Sequence, residues 1–272
     1  MKLLLLLLAL PIIGFGQNVN IPDANFKAYL VGNTAINTNG DSEIQVSEAS
    51  AFTDTINCYF MNISNLKGIE AFTALTVLYF SSNPLKILDV SKNTALTYLW
   101  CIDNQLKRLD VSKNTALIYL GCYENQLTRL DVSKNTALTD LNCFENKLTS
   151  LDVSNNTALT SLCCGHNQLT SLDVSKNTAI EVLLCETNLL KSLDVSKNTA
   201  LTQLSCYRNK LTSLDVSKNT ALTYLGCIDN QLTSLDVSKN TALTHLYCDG
   251  NKFDCDALIS KYGIENQDAI FD

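Results

Sequence analysis

A cysteine returns every 21 residues along most of this chain, at Cys101, Cys122, Cys143, Cys164, Cys185, Cys206, Cys227 and Cys248. Each stands in a frame LxxLxCxxNxL followed by LDVSKNTAL, as in Leu96, Leu99, Cys101, Asn104 and Leu106, then Leu109, Asp110, Val111 and Asn114. So strict a period requires one supersecondary unit per repeat, unable to bury its apolar side alone and therefore stacked on identical neighbours. Such a chain is a solenoid, and its function has to be sought on its faces.

Both halves of the unit carry LxxL followed by a third apolar position and read as strands. Leu99 and Cys101 point inward and Trp100 outward in the first half; Leu109 and Val111 point inward and Asp110 outward in the second. Stacking predicts two parallel sheets joined by polar turns. In this setting the ladder cysteines act as small buried hydrophobes, and Phe80 fills the same slot one repeat earlier. With no CxxC or Cys/His cluster, zinc is not expected. Cys163 is expected to be the exposed thiol of the ladder, and Cys248 and Cys255 are the best disulfide candidates. The two asparagine columns, at Asn104, Asn125 and Asn146 onward and at Asn93, Asn114 and Asn135 onward, are expected to satisfy backbone groups in the turns. The aspartates Asp89, Asp110, Asp131 and their successors stack as like charges about 4.8 Å apart; the parallel lysines Lys92, Lys113 and Lys134, with turn hydroxyls and amides nearby, are expected to offset them as an Asp-turn-Lys scaffold.

Residues 1–16 open with Lys2, run apolar from Leu3 to Ile13 and reach Gly14 and Gly16 before Gln17. That is the pattern of a cleaved secretory signal, too short for a membrane span. With no later apolar run of spanning length, the chain is expected to be secreted or held at the cell surface, the periplasm included, without a transmembrane segment. A net charge of −7 argues against nucleic acid as a partner, and a monomer is expected. The organisation predicted is a signal over 1–16, a helical cap over 17–55, the solenoid over 56–252 and a second cap over 253–272. The first cap has a short helix from Asp23 to Leu30; the second has one from Asp254 to Tyr262, stopped by Gly263.

On these repeats the chain resembles bacterial leucine-rich-repeat proteins of the nested 21-residue (IRREKO-like) type, as in exported proteins of Bacteroidetes. The irregular stretch from Ile56 to Leu75 and the preceding IPDANFKAYL resemble the amino-terminal region of internalin-like proteins. The resemblance implies a mainly β, right-handed leucine-rich-repeat solenoid with parallel strands on two faces and short helical caps at both ends. It also implies partner binding through a strand-lined face, without enzymatic activity.

The columns that differ from repeat to repeat lie together on the outward side of the first strand. They hold Tyr98, Trp100 and Asp103 in one coil, then Tyr119, Tyr123 and Glu124, then Phe144 and Glu145. Farther on come Tyr207, Tyr224, Asp229, His245 and Tyr247. Seven of the ten tyrosines, counting Tyr79, and the single tryptophan fall here, whereas the second strand barely changes. Aromatics interleaved with carboxylates suit a recognition face for a protein, peptide or glycan. The alternative is a passive structural solenoid of the envelope whose exposed residues drift. A second candidate lies before the repeats, where Asn37, Asn39, Asp41, Glu43 and Glu48 have the spacing of an EF-hand loop and would hold one calcium ion; the other reading of this stretch is an Asn-Gly turn.

Overall fold

The computed structural model describes residues 17–263, so the expected signal over 1–16 and the end of the second cap lie outside the described residues. Ten strands of three residues follow in order. They are β1 (Thr55–Asn57), β2 (Val77–Tyr79), β3 (Tyr98–Trp100), β4 (Tyr119–Gly121), β5 (Asp140–Asn142), β6 (Ser161–Cys163), β7 (Val182–Leu184), β8 (Gln203–Ser205), β9 (Tyr224–Gly226) and β10 (His245–Tyr247). Each pairs in parallel with the next, forming one ten-stranded sheet. The register advances one repeat per strand, so that Leu78, Leu99 and Leu120 stand side by side. Their side chains and the following Phe80, Cys101 and Cys122 are fully buried, as strand alternation requires. The buried column begins two coils before the first cysteine of the period. Cys58 sits in the same slot and its N–H donates to the Tyr79 carbonyl, but its spacing to Phe80 exceeds the repeat by one residue.

The second half of each unit stacks less regularly than the first. Its LDV segments meet only in isolated parallel bridges at Asp89–Asp110 and Asp110–Asp131. The backbone there is engaged otherwise. The Asn114 N–H donates to the Val111 carbonyl, the Ser112 N–H donates to Asp110 Oδ1 (2.9 Å), and the Val90 carbonyl accepts from Asn114 Nδ2 (2.9 Å). Side chains thus take over bonds that a second sheet would have made between strands.

Both asparagine columns behave this way. In the first, Asn125 Nδ2 donates to the Cys101 carbonyl (2.9 Å) while its Oδ1 accepts from the Leu106 N–H (3.0 Å). In the second, Asn156 Nδ2 donates to the carbonyls of Val132 (3.0 Å) and Asn135 (2.8 Å), deep in the interior. Unbonded carbonyls in such a place would each cost about 1–3 kcal/mol, which is why an amide recurs in every coil.

The aspartate column is stabilised mainly by turn groups, with the charges of Lys92 and Lys113 contributing less. Hydrogen bonds from the Ser91 and Ser112 backbone and hydroxyl groups hold the Asp89 and Asp110 carboxyls below the usual carboxylate range. No lysine of the parallel column pairs with them, for the ion pairs among the described residues are Lys27–Glu43 (2.6 Å) and Arg208–Asp229 (3.5 Å). An Asx turn within each coil is closer at hand than a solvated lysine tip.

Helix α1 (Ala24–Gly32) starts at Asp23 and buries Phe26 and Leu30 against the first coils. Asp23 Oδ1 accepts from the N–H groups of Asn25 and Phe26, while Oδ2 accepts from those of Ser64 and Asn65. One carboxylate therefore caps the helix and fastens it to the solenoid. A second short helix, α2 (Val46–Ala51), follows where the sequence suggested only a turn. At the other end α3 (Cys255–Tyr262) is capped by Asp254, ends at the left-handed Gly263, and is joined to the last coil by the Cys248–Cys255 disulfide, Cα–Cα 5.6 Å.

Cys163 departs from its expected exposure. It points outward between Asn142 and Leu184 but is half-buried, and burial pushes its thiol up. Burial pushes Cys58, Cys101 and Cys227 up to about 12. Since the thiolate is the reactive form, alkylation of the folded protein should modify Cys163 first, and slowly, with the ladder following only on unfolding. Mass-spectrometric mapping of modified sites against time checks this. Early modification of Cys101 or Cys122 would remove them from the interior.

Candidate functional site

The outward side of the sheet carries the aromatic columns, and the strand register brings the rings into contact. The Tyr79 and Trp100 rings stack at 3.9 Å and 9°, Trp100 and Tyr119 at 4.6 Å and 27°, and Tyr98 stacks on Trp100 at 5.5 Å and 9°. The Trp100 ring is thereby sandwiched between its neighbours from the coils on either side. Gly121 makes this possible, because a β-carbon there would lie 2.9 Å from Tyr119 Cε1 and 3.3 Å from Trp100 Cδ1. The Tyr119 ring lies across the bare backbone and is half-buried. At the far end Tyr224 packs with Tyr247 (5.4 Å) and His245 (6.4 Å), and in the middle Phe144 packs with His166 (4.6 Å).

Tyr247 is the member of the predicted set that the structure moves. Expected outward and exposed, it is buried at 8% exposure. Its register partner is Gly226, over which the Tyr224 ring lies, and the Tyr247 ring packs against Tyr224 at 5.4 Å. The other aromatic residues of the set, Tyr98, Trp100, Tyr119, Tyr123, Phe144, Tyr207, Tyr224 and His245, remain partly or well exposed.

The acidic members form a ridge along one edge of this face. Asp103, Glu124, Glu145 and Asp229 are exposed and occupy one turn position, which also holds Ser82, His166, Thr187 and Arg208 in other coils. Every one of these residues has φ between 49° and 55°, and only in the last coil does a glycine, Gly250, take the place. For ordinary residues the left-handed conformation costs roughly 1–2 kcal/mol, and it is an outlier for a β-branched threonine. Cross-coil bonds enforce it: the Asp103 N–H donates to the Tyr123 carbonyl and the Asn104 N–H to that of Glu124. The fold thus keeps side chains on the ridge where glycine would relieve strain, a pattern associated with functional surfaces. Burial, then the charges of Asp103 and Glu145, raise the Glu124 carboxyl.

Three features escaped the sequence reading. Tyr59, Phe60 and Met61 extend the face by one coil, with Phe60 78% exposed and left-handed; aligning Cys58 with the ladder would have placed them. Glu186 is buried at 6% exposure in the column of Tyr123 and Tyr207, and nothing in its spacing distinguishes it from exposed acids. The second strand is also less uniform than expected, since Lys86, Ile87, Lys107 and Arg108 line a groove of ≈ 690 Å³ where, apart from Arg129 and Lys191, later coils carry threonine and serine.

The EF-hand-like residues do come together, around bonds of their own. Asn37 is buried, with Nδ2 donating to the Val31 and Asp41 carbonyls and Oδ1 accepting from the Gly40 N–H. Asn39 and Asp41 bond each other and Gln45, and Glu43 pairs with Lys27. Glu48 Oε1 accepts from Thr38 and Asn39, and Oε2 from the Gln45 N–H, closing a capping box on α2. Burial would raise the Glu48 carboxyl, but these bonds outweigh it and hold it below the usual range. Among the described residues no group of three or more His, Cys, Asp and Glu side chains gathers to hold a metal ion. Glu48→Gln should destabilise this cap by about 1–3 kcal/mol, as the loss of hydrogen bonds to a charged group does, and any calcium bound by the loop would add a calcium-dependent part to that loss. Thermal melts and calcium calorimetry check this; calcium heat that Glu48→Gln abolishes would show the carboxylate leaving its donors for an ion.

No protein-family model matches the chain, and no curated protein matches it. Solved structures do match. The chain is similar to the functional domain of InlJ from Listeria monocytogenes, described as including a cysteine ladder, with 33% identity over 86% of this chain and 61% of that one and a TM-score of 0.61. It is also similar to a leucine-rich-repeat protein of Leptospira interrogans, at 25% identity over 75% and 57% of the two chains, with a TM-score of 0.70. The internalin InlF of Listeria monocytogenes is 18% identical over 96% of this chain and 100% of that one, TM-score 0.56, a likeness of fold alone. The chain spans 61% and 57% of the lengths of the first two. The architecture is thus a parallel-strand solenoid of the leucine-rich-repeat kind.

Proposed function

We propose that this leucine-rich-repeat protein binds a protein or peptide partner through its sheet face, as a secreted or surface-held protein and not as an enzyme. Leucine-rich-repeat and internalin-like folds generally serve protein binding or adhesion, and no helix among the described residues is long and apolar enough to cross a membrane. The observation that carries the reading is the way the aromatic stack is built. Both faces of Trp100 are occupied, by Tyr79 and Tyr119, so ring edges and tyrosine hydroxyls are what the stack offers to a partner. A sugar ring docks best on a free aromatic face, whereas a polypeptide supplies the carbonyls and side chains that suit ring edges and hydroxyls. The strained acidic ridge alongside adds orientation.

The test is selection of a displayed peptide library on the immobilised protein, counter-selected on a variant with Trp100, Tyr119 and Tyr123 all changed to alanine, beside a glycan array read with the same two proteins. Peptides retained by the wild type and lost by the variant support the proposal. Variant-sensitive binding on the glycan array alone would transfer the face to carbohydrate. Binding indifferent to the three rings would return the molecule to a structural solenoid.

A further inference from the structure

Glu186 is the one carboxylate of the sheet face that is withdrawn from water, at 6% exposure. It follows Cys185 on the outward side of the sheet, with Gly165 before it and Tyr207 after it in the same column, as the bonds from His166 N–H to the Glu186 carbonyl and from Thr187 N–H to the Tyr207 carbonyl establish. Its side chain lies over Gly165. A β-carbon there would come within 2.7 Å of Glu186 Oε1, so the absence of a side chain at Gly165 creates the space the carboxylate occupies.

That carboxylate has no cation. Neither ion pair among the described residues involves it, since Arg208 turns to Asp229 (3.5 Å). Oε2 is buried and finds no hydrogen-bond partner among the described residues. Burial raises the Glu186 carboxyl, and the Ser205 hydroxyl, also buried, has no hydrogen-bond partner among the described residues either. Its charge is felt by Tyr207 and Tyr224, whose phenols are raised by burial first and by Glu186 among other groups. An unpaired buried carboxylate is destabilising, and a cation brought to it recovers that loss; the one cation close by, Arg208, lies over the Tyr207 ring at 6.0 Å and pairs with Asp229.

We propose that Glu186 anchors a subsite for a lysine or arginine side chain of the bound partner, on the outward side of the sheet between the coils of Gly165 and Tyr207. The proposal rests on the reading of this face as a polypeptide-binding surface and names the residue type that the partner presents at its middle.

The test needs no natural partner. Acetyl-arginine amide, acetyl-lysine amide and the neutral isostere acetyl-citrulline amide are titrated into the full chain, and the ring resonances of Tyr207 and Tyr224 are followed by NMR. Saturable shifts are expected with the two cations and not with citrulline. Glu186→Gln should reduce the affinity for the arginine derivative about tenfold or more, the usual worth of a hydrogen bond to a charged group. Glu186→Asp, which keeps the charge and shortens the reach, should retain the preference for arginine over citrulline at lower affinity and serves if the glutamine variant folds poorly. Equal shifts with citrulline, no saturable shift with either cation, or loss of the preference in Glu186→Asp would overturn the subsite. Those results leave the peptide selection on the Trp100 side of the face untouched, so the two proposals fail separately.

Discussion

Changing Asn156 to aspartate is expected to destabilise the protein by about 3–5 kcal/mol, while the same change at its neighbour Asn155 stays within about 0.5 kcal/mol. Asn156 is fully buried and both hydrogens of its amide are donated, to the carbonyls of Val132 and Asn135. Its Oδ1 has no hydrogen-bond partner among the described residues. Aspartate has no N–H, so two carbonyl oxygens would face a third acceptor carrying charge. Protonation relieves the charge but restores only one donor. Asn155 lies one residue away on the exposed side of the same turn, so the pair separates buried amide chemistry from any general effect of added charge. Urea titration followed by circular dichroism reads both. A similar, small effect at the two positions would mean that the asparagine column does not hold the coils together.

The second large effect is on binding. Replacing Trp100, Tyr119 and Tyr123 together by alanine should weaken the partner by about 4 kcal/mol, roughly a thousandfold in Kd, given that aromatic anchors typically contribute about 2 kcal/mol or more each and do not add fully. Additivity fails here for a visible reason. Trp100 contacts Tyr119 at 4.6 Å, so removing the first loosens the second. The interior beneath, Leu99, Cys101, Leu120 and Cys122, is untouched, and the fold should persist by circular dichroism. The matched control changes Lys113, Lys134 and Lys176 to alanine; these are exposed in the turns of the second half-repeat. Equal loss in the two variants, measured by calorimetry with a selected peptide, would displace recognition from the aromatic face.

The period made the inward and outward assignments of the first strand readable, because alternation needs only residue spacing. Leu99, Cys101 and Leu120 are where that spacing puts them. What the period conceals is competition for backbone groups. LDV has the same apolar pattern as the first strand, yet Asp110 captures the Ser112 N–H and Asn114 captures the Val90 carbonyl, and a sheet on that side is reduced to scattered bridges. The site was legible as columns but not as contacts. Tyr247 and Tyr98 are both outward tyrosines in sequence, and the first, packed on Tyr224, is buried while the second is exposed. Glu186 was unreadable for a related reason, since its burial depends on Gly165 in another coil. The left-handed ridge also leaves no mark, because Asp, Glu, His, Thr and Arg all occupy it.

The asparagine amides give the solenoid a mechanical polarity. Each reaches toward the preceding coil, as Asn125 does to Cys101 and Leu106 and Asn135 to Val111 and Asn114. When a coil peels from the carboxy-terminal end, the stub it leaves shows bare backbone carbonyls and an N–H that had been covered. When one peels from the amino-terminal end, the stub shows side-chain amides, free to rotate into water. Under load the protein should therefore behave as a zipper that runs readily in one direction, each opened tooth loosening the next. The Cys248–Cys255 bridge ties the last coil to its cap at the opposite end from that run, where peeling would uncover main-chain groups.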